Sequence, residues 1–301
     1  MGLVRLLRRG LRQLDKALKK LDTPVIPVVP RPPADRMEEV KAFLRSLDVA
    51  GEGAHTYLET HLHRIALTMT MVPPPGATGR ALDLGTFMQM PPVLACVFGY
   101  REVRGAYWGP LGRIDDKIVT AGGREIFRCQ VDHFDAERDD FPYPDGAFDL
   151  VLCCEMIEHL LHDPMRMMLE IRRVLADGGR LILTTPNVVS FTAVARVLHA
   201  RENPQLFSMY TDPRKPSGET EVPHVREYTP AELEEVLRSA GFAVEYLFTE
   251  KVAGYEADLY YRDILEMNDY PTALRGEQLY ALGRKLAGAP ITRFPKFLYE
   301  I

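Results

Sequence analysis

Two carboxylates and one imidazole lie close together in the chain. Glu155, Glu158 and His159 are spaced i, i+3 and i+4, so on a helical turn their side chains share one face. Such a face can ligate a divalent ion, and its oxygen ligands suit Mg or Mn. The same residues also fit a metal-free arrangement, in which Glu158 pairs locally and His159 is a general base or simply packs. The spacing alone leaves both interpretations open.

A second candidate site follows a short apolar stretch at residues 81–84, where Asp83 precedes Gly85 and Thr86. Glycine lets a ligand approach the backbone closely, and the carboxylate can accept from an ammonium or a ribose hydroxyl. In a doubly wound sheet, nucleotide-like ligands bind at the carboxyl end of the first strand. Taken alone, these residues also fit an ordinary strand-to-turn junction, so the interpretation depends on the surrounding elements.

From residue 80 onward, short apolar stretches alternate with helical segments. Strands are predicted at 81–84, 102–107, 148–153, 180–185, 242–248 and 278–283, and helices at 92–99 and 163–175. Thr229-Pro230-Ala231-Glu232 predicts a capped helix start, and Gly241 its end. This alternation predicts an α/β fold, with a parallel sheet covered by helices on both faces.

A series of motifs runs through residues 141–187 in a fixed order. They are Phe148-Asp149, Glu155, Glu158-His159, Arg173-Val174-Leu175, Gly178-Gly179 and Thr184-Thr185-Pro186-Asn187. The series closely resembles the central block of class I S-adenosylmethionine-dependent methyltransferases, and the resemblance covers roughly residues 78–250. It implies a Rossmann-like, seven-stranded, mostly parallel sheet and S-adenosylmethionine as cofactor. The helices before residue 78 are not part of that family's common core.

The resemblance also implies which residues bind the cofactor. They are Asp83, Gly85, Thr86, Tyr107, Asp135, Ala136 and Glu155. Asp83 and Gly85 match the motif that holds the methionine end. Asp135 matches the acid that contacts the adenine amino group, with a backbone contact from Ala136 beside it. Glu155 matches the segment that lines the sulfonium.

Two positions depart from the family pattern. The later glycines of the first motif are replaced by Phe87, Met88 and Gln89. Tyr107 and Trp108 stand where an acid would bond the ribose hydroxyls. An aromatic side chain there can stack on the cofactor or pack in the core. These departures leave a second class of function open, a cofactor-binding or inactive scaffold protein that uses the fold for assembly.

The resemblance bears on the transfer step as well. The ExxEH signature carries the metal in ubiquinone-pathway O-methyltransferases and in small-RNA 3′-end 2′-O-methyltransferases, where a later histidine completes the site. His224 occupies a comparable place, so the implied metal ligands are Glu155, Glu158, His159 and His224. The alternative is that His159 and His224 act as bases. The HxREYT stretch around His224 resembles bacterial methyltransferases associated with glycan modification.

The N-terminal part of the chain has a different character. Residues 1–23 predict a basic amphipathic helix, because residues 1–21 carry seven basic residues and one acid and have leucines at helical spacing. This helix could lie on an anionic membrane or pack on protein. A Pro-rich linker (24–34), a helical extension (35–77) with helices at 35–48 and 54–71, and the methyltransferase domain (78–301) follow. A cap is expected at about 188–228.

Composition limits the function classes. The net charge of −5 argues against DNA binding, and RNA is disfavoured because no basic groove is evident beyond residues 1–21. We expect O-methylation of a sugar hydroxyl on a bacterial glycan or glycolipid, with a small-molecule methyltransferase as the rival. No cleavable signal peptide is evident, so a cytoplasmic protein, at the inner membrane face if residues 1–21 bind lipid, is expected. Homo-oligomerisation remains open.

Overall fold

The described part of the chain comprises residues 31–33, 36–48, 52–200, 202–208, 223–252 and 258–299 of a computed structural model. The predicted basic helix (1–23) and most of the proline-rich linker lie outside it. At the described end of the linker, Arg31 forms an ion pair with Glu250, 2.9 Å apart, at the end of a sheet strand. Within the described residues, no helix has the length and apolar character needed to cross a membrane.

Helices and strands alternate along the chain. The helices are α1 (Met37–Ser46), α2 (Glu52–Met69), α3 (Met90–Cys96), α4 (Pro164–Val174), α5 (Phe191–His199), α6 (Pro230–Ser239) and α7 (Asp258–Met267), with a 3-10 turn at Ile157–His159. The strands are β1 (Arg80–Leu84), β2 (Glu102–Tyr107), β3 (Ile114–Ala121), β4 (Arg124–His133), β5 (Phe148–Cys154), β6 (Leu175–Pro186), β7 (Phe242–Glu250) and β8 (Gln278–Lys285).

The strands form one sheet in the order β3-β4-β2-β1-β5-β6-β8-β7. The five central strands, from β4 to β6, are parallel neighbours, whereas β3 pairs antiparallel with β4 and β8 pairs antiparallel with both β6 and β7. The predicted α/β class with a mostly parallel sheet is therefore confirmed. The strand number differs from the expected seven, because the described sheet has eight strands.

The additional strand belongs to a hairpin that the strand predictions missed. Gly122 and Gly123 join β3 to β4 with φ values of +57° and +73°. A two-residue turn with two positive φ values favours glycine, so the Gly-Gly pair was the available sequence signal. The strands themselves were harder to recognise, because β3 is an edge strand in which only Val119 is buried.

Side chains of the central strands alternate between two cores, one on each face of the sheet. Leu82, Val151 and Leu181 face a core that includes residues of α4 and α6. Leu150 and Ile182 face the opposite core, which includes residues of α1, α2 and α3. Successive side chains of a strand point to opposite faces, so a strand buried on both faces reads as one apolar run. The N-terminal helices thus complete one face of the sheet.

Three helices follow β6 in the chain, and two of them pack against each other. The capping box predicted at Thr229 and Glu232 starts α6, and Gly241 follows that helix with φ +85°. Helices α5 and α7 pack together through a small cluster that includes Phe191 and Tyr261. Within the expected cap, the described residues are 188–200, 202–208 and 223–228.

Candidate active site

A crevice opens where β1 and β5 end, between the sheet and helix α2. Its lining residues are Tyr57, Arg64, Ile65, Asp83, Leu84, Gly85, Phe87, Gln89, Met90, Cys154 and Glu155. Three residues expected to bind the cofactor, Asp83, Gly85 and Glu155, are therefore together. They meet because β1 and β5 are parallel neighbours, with Asp83 beside Leu152 in register.

Asp83 is a buried acid on the floor of this crevice. Its residue is only 4% exposed, and burial raises the pKa of its carboxyl to about 7, against the lowering effect of a hydrogen bond from Thr86. Among the described residues, no basic side chain forms an ion pair with Asp83. A carboxylate in this position would gain from a cationic ligand group, because burial penalises an uncompensated charge.

Gly85 follows the strand with φ +69°, a backbone conformation that residues with a side chain rarely adopt. A Cβ built at this position meets only the Met156 sulfur, 3.6 Å away. The backbone at Gly85 is therefore open toward the crevice, as expected from the sequence.

Glu155 lies opposite, at the end of β5, and it too has a positive φ, +52°. Its Oε1 accepts hydrogen bonds from the Thr184 hydroxyl at 2.7 Å and the Gln278 amide at 2.6 Å. Arg64 of α2 approaches the same oxygen at 3.4 Å, and the arginine side chain is only 14% exposed. The crevice thus contains a guanidinium that faces the sheet from the N-terminal extension.

The other expected cofactor residues lie at the same sheet edge but do not line this crevice. Thr86 is buried, and its hydroxyl accepts from the Met88 amide at 3.2 Å. Asp135 accepts from the Glu137 amide at 2.9 Å, and its neighbour Ala136 packs in the core. Tyr107 is 42% exposed, with its ring 6.0 Å from that of Phe87. It is therefore a surface aromatic near the crevice rather than a core residue.

A second cluster contains both candidate bases. Ligand-capable atoms of Glu158, His159 and His224 lie within 4.8 Å of one another. The two imidazole rings meet edge to face, with centroids 4.6 Å apart. The segment that carries His224 is fastened to the 3-10 turn, because the Glu158 carbonyl accepts from the Val225 amide at 2.8 Å.

Glu158 is fully buried within this cluster. Its Oε2 accepts from the Thr185 hydroxyl at 2.8 Å, and its Oε1 has no hydrogen-bond partner in the described part of the chain. Burial, followed by the charge of Glu155, raises the pKa of Glu158 well above its usual range. Glu155 was expected as a fourth metal ligand, but it lies outside this group, because its carboxylate is turned toward Thr184 and Gln278.

Sequence reasoning missed two charged residues that the structure brings to these sites. Arg64 lies in helix α2, before the stretch from residue 78 over which the sequence resemblance was found, and no local pattern distinguishes it from a surface arginine. Glu227 is buried beside His224, with its Oε1 3.1 Å from the imidazole Nδ1. Its spacing of three residues from His224 was the available signal.

Comparison with known proteins identifies the family to which the chain belongs. A family model described as a methyltransferase domain matches residues 51–247, which is more than half of the chain. A protein of Mycolicibacterium smegmatis named "Probable S-adenosylmethionine-dependent methyltransferase" is 34% identical over 106 residues. That stretch is 35% of this chain and 33% of the relative. Ajmaline N-methyltransferase of Rauvolfia serpentina is 52% identical over 44 residues, 15% of each chain.

The chain therefore spans about a third of the first relative's length and 15% of the second's. Among solved structures, an S-adenosylmethionine-dependent methyltransferase from Archaeoglobus fulgidus aligns with 83% of this chain and 94% of its own, at 19% identity and a TM-score of 0.43. By the match of the family model to residues 51–247, the chain belongs to the family of methyltransferase domains.

Proposed function

We propose that this protein is an S-adenosylmethionine-dependent methyltransferase that methylates a hydroxyl group. The observation that carries the proposal is the crevice in which the Asp83 carboxylate, the open Gly85 backbone and the Arg64 guanidinium lie together. An amino acid ligand has an ammonium and a carboxylate, and these are the two charges that Asp83 and Arg64 complement.

The residues present fit the cofactor. Asp83 is buried without a basic partner among the described side chains, and Gly85 leaves an open backbone where a side chain would intrude. Asp83 would accept from the ammonium of the methionine moiety, and Arg64 would bind its carboxylate. Charge-assisted hydrogen bonds of this kind are the stronger ones in proteins.

When bound, S-adenosylmethionine supplies a methyl group on a positively charged sulfur. The protein's part is to position the acceptor in line and to remove its proton. His159 and His224 lie together beside the segment that begins at Glu155, so either imidazole could take the hydroxyl proton. The buried Glu158 and Thr185 form the wall behind these imidazoles.

For the acceptor we propose a sugar hydroxyl on a bacterial glycan or glycolipid. The support is the pair of imidazoles suited to a hydroxyl, with Phe207, 43% exposed, beside the His224 ring at a centroid distance of 4.9 Å. A partly exposed aromatic ring can pack on the apolar face of a sugar. A small-molecule acceptor is the second candidate, since one relative, matched over 44 residues, is an ajmaline N-methyltransferase. Residues 1–21 would bring the protein to the inner membrane surface.

The test begins with calorimetric titration of the full chain with S-adenosylmethionine. We expect binding, followed by transfer of labelled methyl groups to an acceptor in a panel of glycans, glycolipids, quinones and alkaloids. Absence of binding would favour the scaffold alternative. Binding with transfer only to quinones or alkaloids would support the methyltransferase and refute the sugar acceptor.

The alternative role of the histidine cluster is to bind a divalent metal. Its support is that ligand-capable atoms of the three cluster residues lie within 4.8 Å of one another. With the acceptor found in the panel, we expect turnover to survive dialysis against a chelator, because two histidines can serve as bases without an ion. Loss of turnover that Mn or Mg restores would contradict this expectation. His224→Gln is the comparison variant, because it removes an imidazole that is a base in the metal-free mechanism and a ligand in the metal-dependent one.

A further inference from the structure

Glu227 is a buried carboxylate in contact with the histidine cluster. Its side chain is fully buried. Oε2 accepts from the Leu206 amide at 2.8 Å, and Oε1 accepts from the Phe207 amide at 3.0 Å. Oε1 also lies 3.1 Å from Nδ1 of His224. One side chain therefore contacts both the candidate base and the chain segment 206–207 that covers it.

The contact with His224 determines which ring nitrogen carries the proton. A carboxylate has only acceptor oxygens, so a hydrogen bond to Nδ1 requires that Nδ1 be the protonated nitrogen. In a neutral imidazole the other nitrogen, Nε2, then keeps its lone pair. The hydrogen bond made by one ring nitrogen sets the role of the other in this way. Only the nitrogen with the lone pair can accept a proton.

The contacts with residues 206 and 207 hold the Phe207 ring beside the same imidazole. The Phe207 ring lies 4.9 Å from the His224 ring, and Leu206 is almost fully buried. Arg196 supports the segment from α5, since it donates to the Gln205 carbonyl at 2.8 Å. Glu227 thus links residues 206 and 207 to His224.

From this geometry we propose that Glu227 is the positioning residue for His224. It holds the imidazole in the Nδ1–H tautomer, so that Nε2 is the nitrogen available to the acceptor hydroxyl, and it fixes Phe207 against the ring. The role of His224 as a base rests on the proposed function. The tautomer of its imidazole does not, and it can be tested by itself.

The tautomer can be measured directly by NMR in the full-length protein, without an acceptor. The chain has eight histidines, so a histidine-selective ¹⁵N label gives few signals, and the spectrum of His224→Asn identifies those of His224. Spectra are recorded at the pH at which the signals show the ring to be neutral, and there we expect a protonated Nδ1 and an unprotonated Nε2. A wild-type His224 with its proton on Nε2 would overturn the proposal.

Two substitutions separate orientation of the ring from attachment of the loop. In Glu227→Gln the amide oxygen can still accept at the Oε1 position, so the Nδ1–H tautomer should persist, while the Leu206 amide loses its acceptor and exchanges faster with solvent. In Glu227→Met both acceptors are lost, and the ratio of Nδ1–H to Nε2–H should fall about tenfold, the scale of one hydrogen bond to a charged group. An unchanged ratio in Glu227→Met would also overturn the proposal.

Glu235→Met is the matched control, because Glu235 is exposed on α6 and lies close to Glu227 in sequence. It should leave the ratio as in the wild type. Titration of the same samples with S-adenosylmethionine tests the proposed function separately. A wild-type protein with the Nδ1–H tautomer and no cofactor binding would leave Glu227 as the residue that orients His224 and would refute the methyltransferase.

Discussion

Asp83→Asn is expected to weaken the binding of S-adenosylmethionine by about 30-fold or more, the effect of removing one partner of a buried charge pair. The carboxylate lies on the floor of the crevice, and within the described part of the chain no basic residue compensates it. An amide has the same shape but lacks the charge that attracts an ammonium. Calorimetric titration of both proteins measures the difference.

The pH dependence of binding gives a second readout of the same residue. Burial raises the pKa of Asp83 to about 7, so the free protein loses the charged form as the pH falls below that value. Because the ammonium binds the charged form, wild-type affinity should fall about tenfold for each pH unit below 7. The affinity of Asp83→Asn should lack this dependence. Asp116→Asn, at an exposed position on the edge strand β3, is the matched control.

The stability of the protein without cofactor should depend on pH in the opposite sense from cofactor affinity, because it falls as the pH rises. A pKa raised in the folded state means that the stability contribution of Asp83 is present below pH 4 and is lost as the pH rises through 7. The raised pKa corresponds to a loss of unfolding free energy on the order of 4 kcal/mol between pH 4 and a pH above 7. At pH 8, Asp83→Asn should therefore raise the midpoint of thermal unfolding while weakening binding. A variant that lost both stability and affinity would contradict this assignment.

Arg64→Met should also weaken S-adenosylmethionine binding by about 30-fold, through loss of the partner of the methionine carboxylate. Methionine is shorter than arginine but replaces its apolar stem, so packing of α2 on the sheet is largely retained. Glu155 keeps its hydrogen bonds from Thr184 and Gln278. The expected defect is thus specific to the carboxylate of the ligand.

Decarboxylated S-adenosylmethionine provides the discriminating measurement. It should bind wild type and Arg64→Met with equal affinity, because the group that Arg64 contacts is absent. Arg45→Met serves as the control, since Arg45 is a surface residue of α1 that pairs with Glu59. Equal losses for both ligands in Arg64→Met would mean that Arg64 supports Glu155 or the fold instead of the ligand.

Much of the fold could be predicted from local patterns. The strand at Arg80–Leu84 and the capped helix at Pro230–Ser239 lie where apolar stretches and capping residues indicated them. The hairpin of β3 and β4 was missed, because polar residues interrupt the apolar pattern that identifies buried strands. Of the residues that the sequence proposed for the cofactor, Asp83, Gly85 and Glu155 line one crevice at the ends of β1 and β5, and their role in binding stays a prediction.

The order of the strands and helices follows from the sequence, and so do the reactive residues that stand at the ends of the strands. Hydrophobic periodicity and capping act between residues close in the chain, so both can be read without the fold. Which side chains from distant segments meet depends instead on how the elements pack in three dimensions. Arg64 reaches Glu155 because α2 packs on the sheet, and Glu227 accepts from the Leu206 amide, 21 residues earlier in the chain. Those contacts depend on packing between elements far apart in sequence, which local periodicity does not encode.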